Sequence, residues 1–257
     1  MPIGDSYKYL YDKKVIEKLI SIMGTPDLHS HIRIKPLINF FKKNFKGDVK
    51  ILEIGCGNGI NAFELLKYNE KLFYHGFDLN PDAISQARLL ANLIGCEDRL
   101  KFYCDDAQRV NFDSLNIKFD LVLLMDILEH LQDPEKFLKN MDHLIKDDTL
   151  IAVSVPTPRY KKVFGENFHE SIGHLRDGYT LRQLSKLFKG IDCELNTYSY
   201  NTGHFSDMGC YLYYRFFPSN RYLNLFKILL LYPFRFLDIY NSESISCSIF
   251  AVFSRRG

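Results

Sequence analysis

Residues 50–59 read Lys-Ile-Leu-Glu-Ile-Gly-Cys-Gly-Asn-Gly, a short apolar run followed by three glycines. The apolar run is long enough for one buried strand of a parallel sheet. Gly55, Gly57 and Gly59 can take positive φ and let a ligand approach the backbone closely. The next stretch, Ile60 to Tyr68, is compatible with a helix. Strand, glycine turn and helix N-terminus together predict a nucleotide-binding corner, although a tight turn without a ligand explains these residues equally well.

A second apolar run, Leu72 to Phe77, ends in Asp78, which lies 23 residues after Gly55. A nucleotide-binding fold places an acid there, where it can accept hydrogen bonds from both ribose hydroxyls. The alternation of apolar runs with helical patterns predicts a parallel sheet with helices on both faces. The further strands are expected at 100–104, 119–125 and 150–155, and the helices at 60–68, 81–94, 108–115 (short or absent) and 134–145.

The motifs keep the order and spacing typical of one enzyme class. They are Glu53-Ile-Gly-Cys-Gly-Asn-Gly, Asp78, Asp106-Ala107, Phe119-Asp120 and Leu128-Glu129-His130-Leu131. Together they resemble the class I S-adenosylmethionine-dependent methyltransferases over roughly residues 47–190. The rival is an NAD dehydrogenase, whose G-x-G-x-x-G fingerprint needs a glycine where this chain has Ile60.

The resemblance implies a Rossmann-like, seven-stranded, mostly parallel sheet with helices on both faces. Strands six and seven are expected at 192–200 and 246–254, with the seventh antiparallel and inserted between the fifth and sixth. Residues 1–46 are predicted to form an N-terminal helical cap with helices at 11–23 and 34–45, and residues 47–257 the methyltransferase domain. A helical, aromatic insert, residues 201–245, precedes the last strand.

The resemblance also implies the cofactor, S-adenosyl-L-methionine, and a set of contacts to it. The glycines pass close to its methionine and ribose portions, Asp78 binds the ribose, and Asp106 accepts from the adenine amino group. Glu53 orients the glycine loop, and His130 either lines the cofactor or only starts a helix. The implied cofactor-binding residues are Glu53, Gly55, Gly57, Gly59, Asp78, Leu79, Asp106, Ala107, Asp126 and His130.

Two histidines of the polar stretch 156–190 are candidate general bases. This stretch leaves strand five at the edge where open α/β sheets bind ligands. His169 and His174 could remove a proton from an alcohol or phenol, since a histidine pKa near neutrality suits that role. Alternatively, both histidines only shape the loop. A metal site that combines them with His29 and His31 lacks a C-x-x-C or H-x-x-x-H pattern, so no metal is predicted.

Residues 27–33, Asp-Leu-His-Ser-His-Ile-Arg, invite a substrate-contact interpretation, with helix capping by Asp27 or Ser30 as the alternative. Strand four is not followed by a D/N-P-P-Y/F motif or by Pro-Cys, and no basic cluster tracks a nucleic acid. The expected acceptor is therefore a small molecule or a lipid- or sugar-linked group, with O-methylation ahead of N- or C-methylation. A cofactor-binding scaffold without turnover and a protein or RNA methyltransferase are the alternatives.

Composition places the chain among ordinary globular proteins. It has 257 residues, 46% apolar and 25% charged, with a net charge of +2 that gives no general drive toward nucleic acid or membrane. Six scattered cysteines without a C-x-x-C pair, and an N-terminus without a signal-peptide pattern, predict a cytoplasmic protein. The insert is expected to pack on the core, or to form a dimer contact or substrate lid; membrane-surface contact is possible but less favoured.

Overall fold

A seven-stranded sheet forms the centre of the computed structural model, which describes residues 28–106, 108–109, 117–215, 237–238 and 241–255. The strand order is β3-β2-β1-β4-β5-β7-β6. The strands are β1 Val49–Ile54, β2 Leu72–Asp78, β3 Leu100–Cys104, β4 Leu121–Met125, β5 Leu150–Pro156, β6 Cys193–Asn201 and β7 Ser248–Arg255. β7 pairs antiparallel with both β5 and β6, and the other neighbours pair in parallel. The predicted fold class is confirmed.

Helices cover both faces of the sheet. They are α1 Leu28–Asn44, α2 Ile60–Leu66, α3 Pro81–Leu93, α4 Pro134–Met141, α5 Arg159–Phe164, α6 Glu166–Ser171, α7 Leu181–Lys189 and α8 His204–Arg215, with a 3-10 turn at Asp142–Leu144. The start of α3 follows from its sequence, because the Asn80 side chain accepts the backbone N–H groups of Asp82 and Ala83. Pro81 then suits the first helical turn.

Alternate residues of β1 feed two hydrophobic cores, one on each face of the sheet. Val49 and Ile51 are buried in one cluster, whereas Leu52 and Ile54 are buried in the other. This division follows from the two-residue side-chain period of a strand. Both faces of β1 are therefore dry, and its carboxyl end, where the glycine turn begins, is held in the middle of the molecule.

The first described helix begins earlier than the sequence predicted. A start near Ile34 would place Pro36 in the first turn, but α1 begins at Leu28, so Pro36 lies inside the helix. A proline there removes one backbone hydrogen bond. Burial of Ile34, Leu37 and Phe41 against the core, at helical spacing, offsets that loss. The earlier start matters for the site, because it places Arg33 on a rigid helical turn.

Two short helices, α5 and α6, occupy a stretch that the sequence predicted as loop. The predicted helix at 11–23, most of 108–115 and the insert residues 216–236 and 239–240 lie outside the described residues. Within the insert, α8 is helical as expected. Among the residues that the structure describes, none forms a helix long and apolar enough to cross a membrane. The domain boundary at residue 46 and the cytoplasmic location stay predictions.

Candidate active site

The glycine turn lies where β1 and β2 end side by side. The backbone N–H groups of Gly55 and Cys56 both donate to the carbonyl oxygen of Phe77, at 2.8 and 3.0 Å. Gly55, Gly57 and Gly59 have φ of +75°, +54° and +78°. These left-handed conformations disfavour side chains with a Cβ, which explains the spacing of the glycines.

Gly57 and Gly59 are needed for different reasons. A Cβ at Gly59 would lie 2.6 Å from the Phe102 ring, so this glycine permits close packing of the turn against the core. A Cβ at Gly57 would meet no atom of the described structure within 4 Å. The open side of the turn is therefore at Gly57, where a ligand can approach the backbone.

Asp78 lies directly opposite this open side. Its Oδ2 accepts the backbone N–H of Gly57 at 2.7 Å, and its Oδ1 accepts that of Asn80 at 2.8 Å. Each carboxylate oxygen has further lone-pair capacity for a ligand hydroxyl. The carboxylate thus fixes the turn and remains partly exposed at its rim.

Glu53 lies beneath the turn and is 1% exposed. Its carboxylate accepts from the Asn61 side-chain amide at 2.5 Å and from the Tyr74 hydroxyl. Both oxygens are therefore engaged below the turn, which favours the predicted orienting role over direct contact with a ligand. Burial raises the pKa of Glu53 from 4.5 to about 7, and the charges of Asp78 and Asp126 add to the rise.

This raised pKa predicts how stability depends on pH. Because folded Glu53 holds its proton more tightly than unfolded Glu53, its contribution is full below pH 4.5 and is lost as pH rises through about 7. Relative to Glu53→Gln, the wild-type free energy of unfolding should fall by on the order of 3 kcal/mol between pH 4.5 and pH 8. Urea unfolding of both proteins across this range measures the difference. A difference that is constant with pH would contradict the assignment.

The adenine side of the predicted site is only partly described. Leu79 follows Asp78 and leaves 65% of its surface exposed, an apolar surface that a ligand could cover. Asp106 accepts from the Gln108 backbone at 3.0 Å and pairs with Arg109 at 3.2 Å. Ala107 lies outside the described residues, so its predicted contact stays a prediction, as does that of Asp106.

An ion pair between a buried arginine and a partly exposed aspartate lies at the carboxyl end of β4, beside the turn. Arg33 of α1 donates to the Asp126 carboxylate, and the Ser154 hydroxyl donates to the same carboxylate at 3.2 Å. The neighbouring residue Ile127 packs against the turn, since a Cβ at Gly55 would lie 2.9 Å from its side chain. Asp126 therefore lies next to the glycine turn, as expected for a residue at the methionine end of a cofactor.

A cluster of acid and imidazole side chains adjoins this pair. This polar cluster consists of Glu129, His130, His169 and His174. The ring centroid of His174 is 4.8 Å from those of both His130 and His169. Its Nε2 lies 3.9 Å from Glu129 Oε1. The structure thus brings together three of the histidines that the sequence singled out.

Arg176 holds the loop that carries His169 and His174 against the segment that follows β4. Its guanidinium donates to the carbonyl oxygens of Leu128 and Leu131, both at 2.6 Å, and to that of Gln132 at 3.2 Å. The backbone N–H of Leu175 adds a bond to the carbonyl of Glu129. These contacts fix the 169–176 segment against residues 128–132.

The histidines are not equivalent. His169 Nε2 donates to the Arg176 carbonyl at 3.1 Å, and His130 Nδ1 donates to that of Gly173 at 3.0 Å. Burial and the flanking His130 and His169 lower the pKa of His174 to about 3. Its imidazole is therefore neutral at physiological pH but a weaker base than the sequence argument assumed. The general-base assignments of His169 and His174 stay predictions.

Glu129 is the residue whose importance the sequence did not reveal. It is 0% exposed, and neither carboxylate oxygen has a hydrogen-bond partner among the described residues. Burial, with a contribution from Asp126, raises its pKa to about 8. The sequence indicated Glu129 only as a member of the motif at 128–131, with no role assigned. It indicated Arg33 only as part of the candidate substrate segment at 27–33. The side chains of His29 and His31, from that same segment, lie outside the described part of the structure.

The fold and the site together define a class: a Rossmann-like domain with its ligand turn after the first strand and an antiparallel seventh strand. Residues 52–151 match the family described as methyltransferase domain. This match and the fold support the predicted resemblance to the class I S-adenosylmethionine-dependent methyltransferases, and with it the cofactor that the resemblance implies.

Curated relatives share part of the chain. Norajmaline N-methyltransferase from Rauvolfia serpentina is 32% identical over 103 residues, which are 40% of this chain and 34% of that enzyme. The ubiquinone biosynthesis O-methyltransferase of Glaesserella parasuis serovar 5 is 30% identical over 115 residues, 41% of this chain and 44% of that enzyme. The matches thus span less than half the length of these relatives.

A solved structure resembles nearly the whole chain. Magnesium protoporphyrin IX methyltransferase from Synechocystis PCC 6803, with bound S-adenosylhomocysteine, has a TM-score of 0.55. The match covers 95% of this chain and 99% of that chain at 12% identity, which supports the fold alone.

Proposed function

We propose that this protein transfers a methyl group from S-adenosylmethionine to a hydroxyl of a small-molecule acceptor. The observation that carries the proposal is the polar cluster, a buried acid beside imidazoles, next to the glycine turn. A hydroxyl becomes a good nucleophile only as it loses its proton, and the cluster offers groups that can take that proton.

The turn fits the cofactor on three counts. The backbone at Gly57 is open, the Asp78 carboxylate is available to ribose hydroxyls, and Leu79 offers apolar surface beside it. S-Adenosylmethionine supplies an electrophilic methyl group, whose transfer leaves the bonding electrons on a neutral sulfur. The residues around the turn bind and orient; they need no covalent chemistry of their own.

The polar cluster and the Arg33–Asp126 ion pair have different proposed roles toward the acceptor. Glu129, in its ionised form, is the proposed acceptor of the hydroxyl proton, and His169 and Arg176 hold the loop that carries His174 beside it. The Arg33–Asp126 pair joins α1 to the carboxyl end of β4 beside the site.

Gly57→Ala tests the placement of the cofactor. The added methyl group would project into the ligand space, so affinity for S-adenosylhomocysteine should fall by roughly tenfold or more, equivalent to ~1.4 kcal/mol. Gly95→Ala is the matched control, because Gly95 has φ +68° and equally open surroundings but precedes β3 at the far edge of the sheet. Both variants should lose about 1–2 kcal/mol of stability from backbone strain. Equal affinities in calorimetry would place the cofactor elsewhere.

The function itself is tested with methyl-labelled S-adenosylmethionine and a panel of phenols, catechols, alcohols and amines. Label should appear on oxygen in an extractable product identified by mass spectrometry. A folded protein that binds cofactor but labels no member of the panel would instead favour a binding module without turnover.

N-methylation is the second candidate, and the 32% identity to an N-methyltransferase favours it. A neutral amine is already nucleophilic, so amine methylation needs less help from a proton acceptor than hydroxyl methylation. Amine products that form at the same rate after replacement of Glu129 would favour this candidate over the main proposal.

A further inference from the structure

Glu129 lacks the partner that a buried carboxylate needs. A charged group in a dry interior is costly unless it is paired or coordinates a metal. Two cations favour its charged form, but Arg33 already donates to Asp126 and Arg176 to the carbonyl oxygens of Leu128 and Leu131. Neither guanidinium therefore donates a hydrogen bond to the Glu129 carboxylate.

The other groups around this carboxylate are nitrogen ligands. One ligand atom each from Glu129, His130 and His174 lie within 4.8 Å of one another. Bonds of ~2.1 Å to a shared Zn²⁺ place ligand atoms up to ~4 Å apart, so side-chain shifts of about 1 Å would complete the arrangement.

The hydrogen bonds of the two histidines suit coordination. His130 donates its Nδ1–H to the Gly173 carbonyl, which leaves the lone pair of Nε2 free. A backbone carbonyl on the far ring nitrogen is the usual outer partner of a metal-bound histidine. His174 Nδ1 is buried and has no partner in the described part of the chain. His130 remains partly exposed, which gives a cation an entry path.

We propose that Glu129, His130 and His174 bind one divalent cation of the zinc class, with a coordination position left open for the acceptor oxygen. Two imidazoles and one carboxylate suit Zn²⁺, Mn²⁺ or Co²⁺ better than Mg²⁺ or Ca²⁺, which prefer all-oxygen sites. Three protein ligands and one open position are the pattern of catalytic zinc. No spacing pattern in the sequence indicates this site, because the third ligand lies 44 residues after the second.

The catalytic use of this cation rests on the proposed hydroxyl methylation. The acceptor hydroxyl would coordinate the cation, its O–H bond would break, and the proton would pass to water while the electron pair stays on the cation-bound oxygen. A bound cation lowers the pKa of a coordinated hydroxyl in the same way as that of bound water. Glu129 and His174 then serve as ligands rather than as the final proton acceptors.

Zinc binding can be measured without any turnover. Chelator-treated full chain is dialysed against micromolar Zn²⁺, and bound zinc is counted by mass spectrometry. Wild type and His204→Ala, which removes an exposed histidine of α8, should each retain one tightly bound zinc. Glu129→Gln and His174→Ala should each lower zinc affinity by more than the 10–100-fold that loss of an outer partner of a ligand costs. Zinc retention unchanged in both variants would overturn the proposal.

Folding of the variants is checked by circular dichroism and by their affinity for S-adenosylhomocysteine, which should match wild type. If either variant fails to fold, X-ray absorption of zinc-loaded wild type decides the question. A shell of nitrogen and oxygen with two imidazoles is expected. A sulfur shell would place the metal on a cysteine and contradict the site.

The two proposals can fail separately. Hydroxyl methylation by zinc-free protein, at a rate that added zinc does not change, would remove the metal and leave the proposed function intact. One zinc per chain at Glu129 and His174, with no hydroxyl methylated, would keep the site and remove the proposed function.

Discussion

Glu129→Gln is expected to lower kcat for methyl transfer by ~10²–10⁴-fold, the range for loss of a group that assists proton removal. The substitution nearly preserves shape, and the side chain has no hydrogen-bond partner among the described residues to lose. Affinity for S-adenosylhomocysteine should stay within about threefold of wild type, because Asp78 and the glycine turn are unchanged. Single-turnover rates with the identified acceptor separate the two quantities.

Glu170→Gln is the matched control for this prediction. Glu170 lies on α6, next to His169 in the sequence, and allows the same substitution of glutamine for glutamate. Its side chain, unlike that of Glu129, is exposed. It should retain the wild-type rate. A full rate in Glu129→Gln, with normal cofactor binding, would show that alignment of the acceptor suffices for catalysis.

Asp78→Asn is expected to weaken S-adenosylhomocysteine binding by ~1–3 kcal/mol, or about 5–150-fold. The carboxylate loses its charge toward the ribose hydroxyls, and the amide turns one acceptor into a donor opposite the N–H of Gly57 or Asn80. The fold should survive, since Asp78 lies at a strand end. Titration calorimetry of the purified variant measures the loss.

Asp120→Asn is a control at a second aspartate that accepts a backbone N–H, although it also weakens the contact of Asp120 with Lys146 at 3.4 Å. Asp120 also accepts a backbone N–H at a strand end, that of Lys50 at 2.8 Å, but at the amino ends of the central strands, opposite the glycine turn. It should lose some stability and no cofactor affinity. Unchanged affinity in Asp78→Asn would show that the ribose lies elsewhere.

Local sequence patterns predicted most of the strands of the sheet. The central parallel strands β1, β4 and β5 were visible as short apolar runs, because both of their faces are buried. The glycine turn was visible because its three left-handed positions demand one residue type. The start of α1 was missed because burial of Ile34, Leu37 and Phe41 overrides the local signal of Pro36.

The candidate site was harder to read because its contacts join distant parts of the chain. Arg33 reaches Asp126 across 93 residues, and Arg176 reaches Leu128 across 48. No spacing rule marks such a pair before the chain is folded. The sequence therefore supplied the histidines as separate candidates, and only the fold showed that Glu129 is buried between them without a partner.

The central claim is that the open face of the Gly57 turn binds the cofactor of a methyltransferase. Titration of the folded full chain with S-adenosylhomocysteine tests it most directly. We expect one site per chain with a Kd in the micromolar range, which corresponds to a binding free energy on the order of −8 kcal/mol. Binding should be weakened by Gly57→Ala and unaffected by Gly95→Ala. A folded wild-type protein that binds neither S-adenosylhomocysteine nor S-adenosylmethionine would contradict the account.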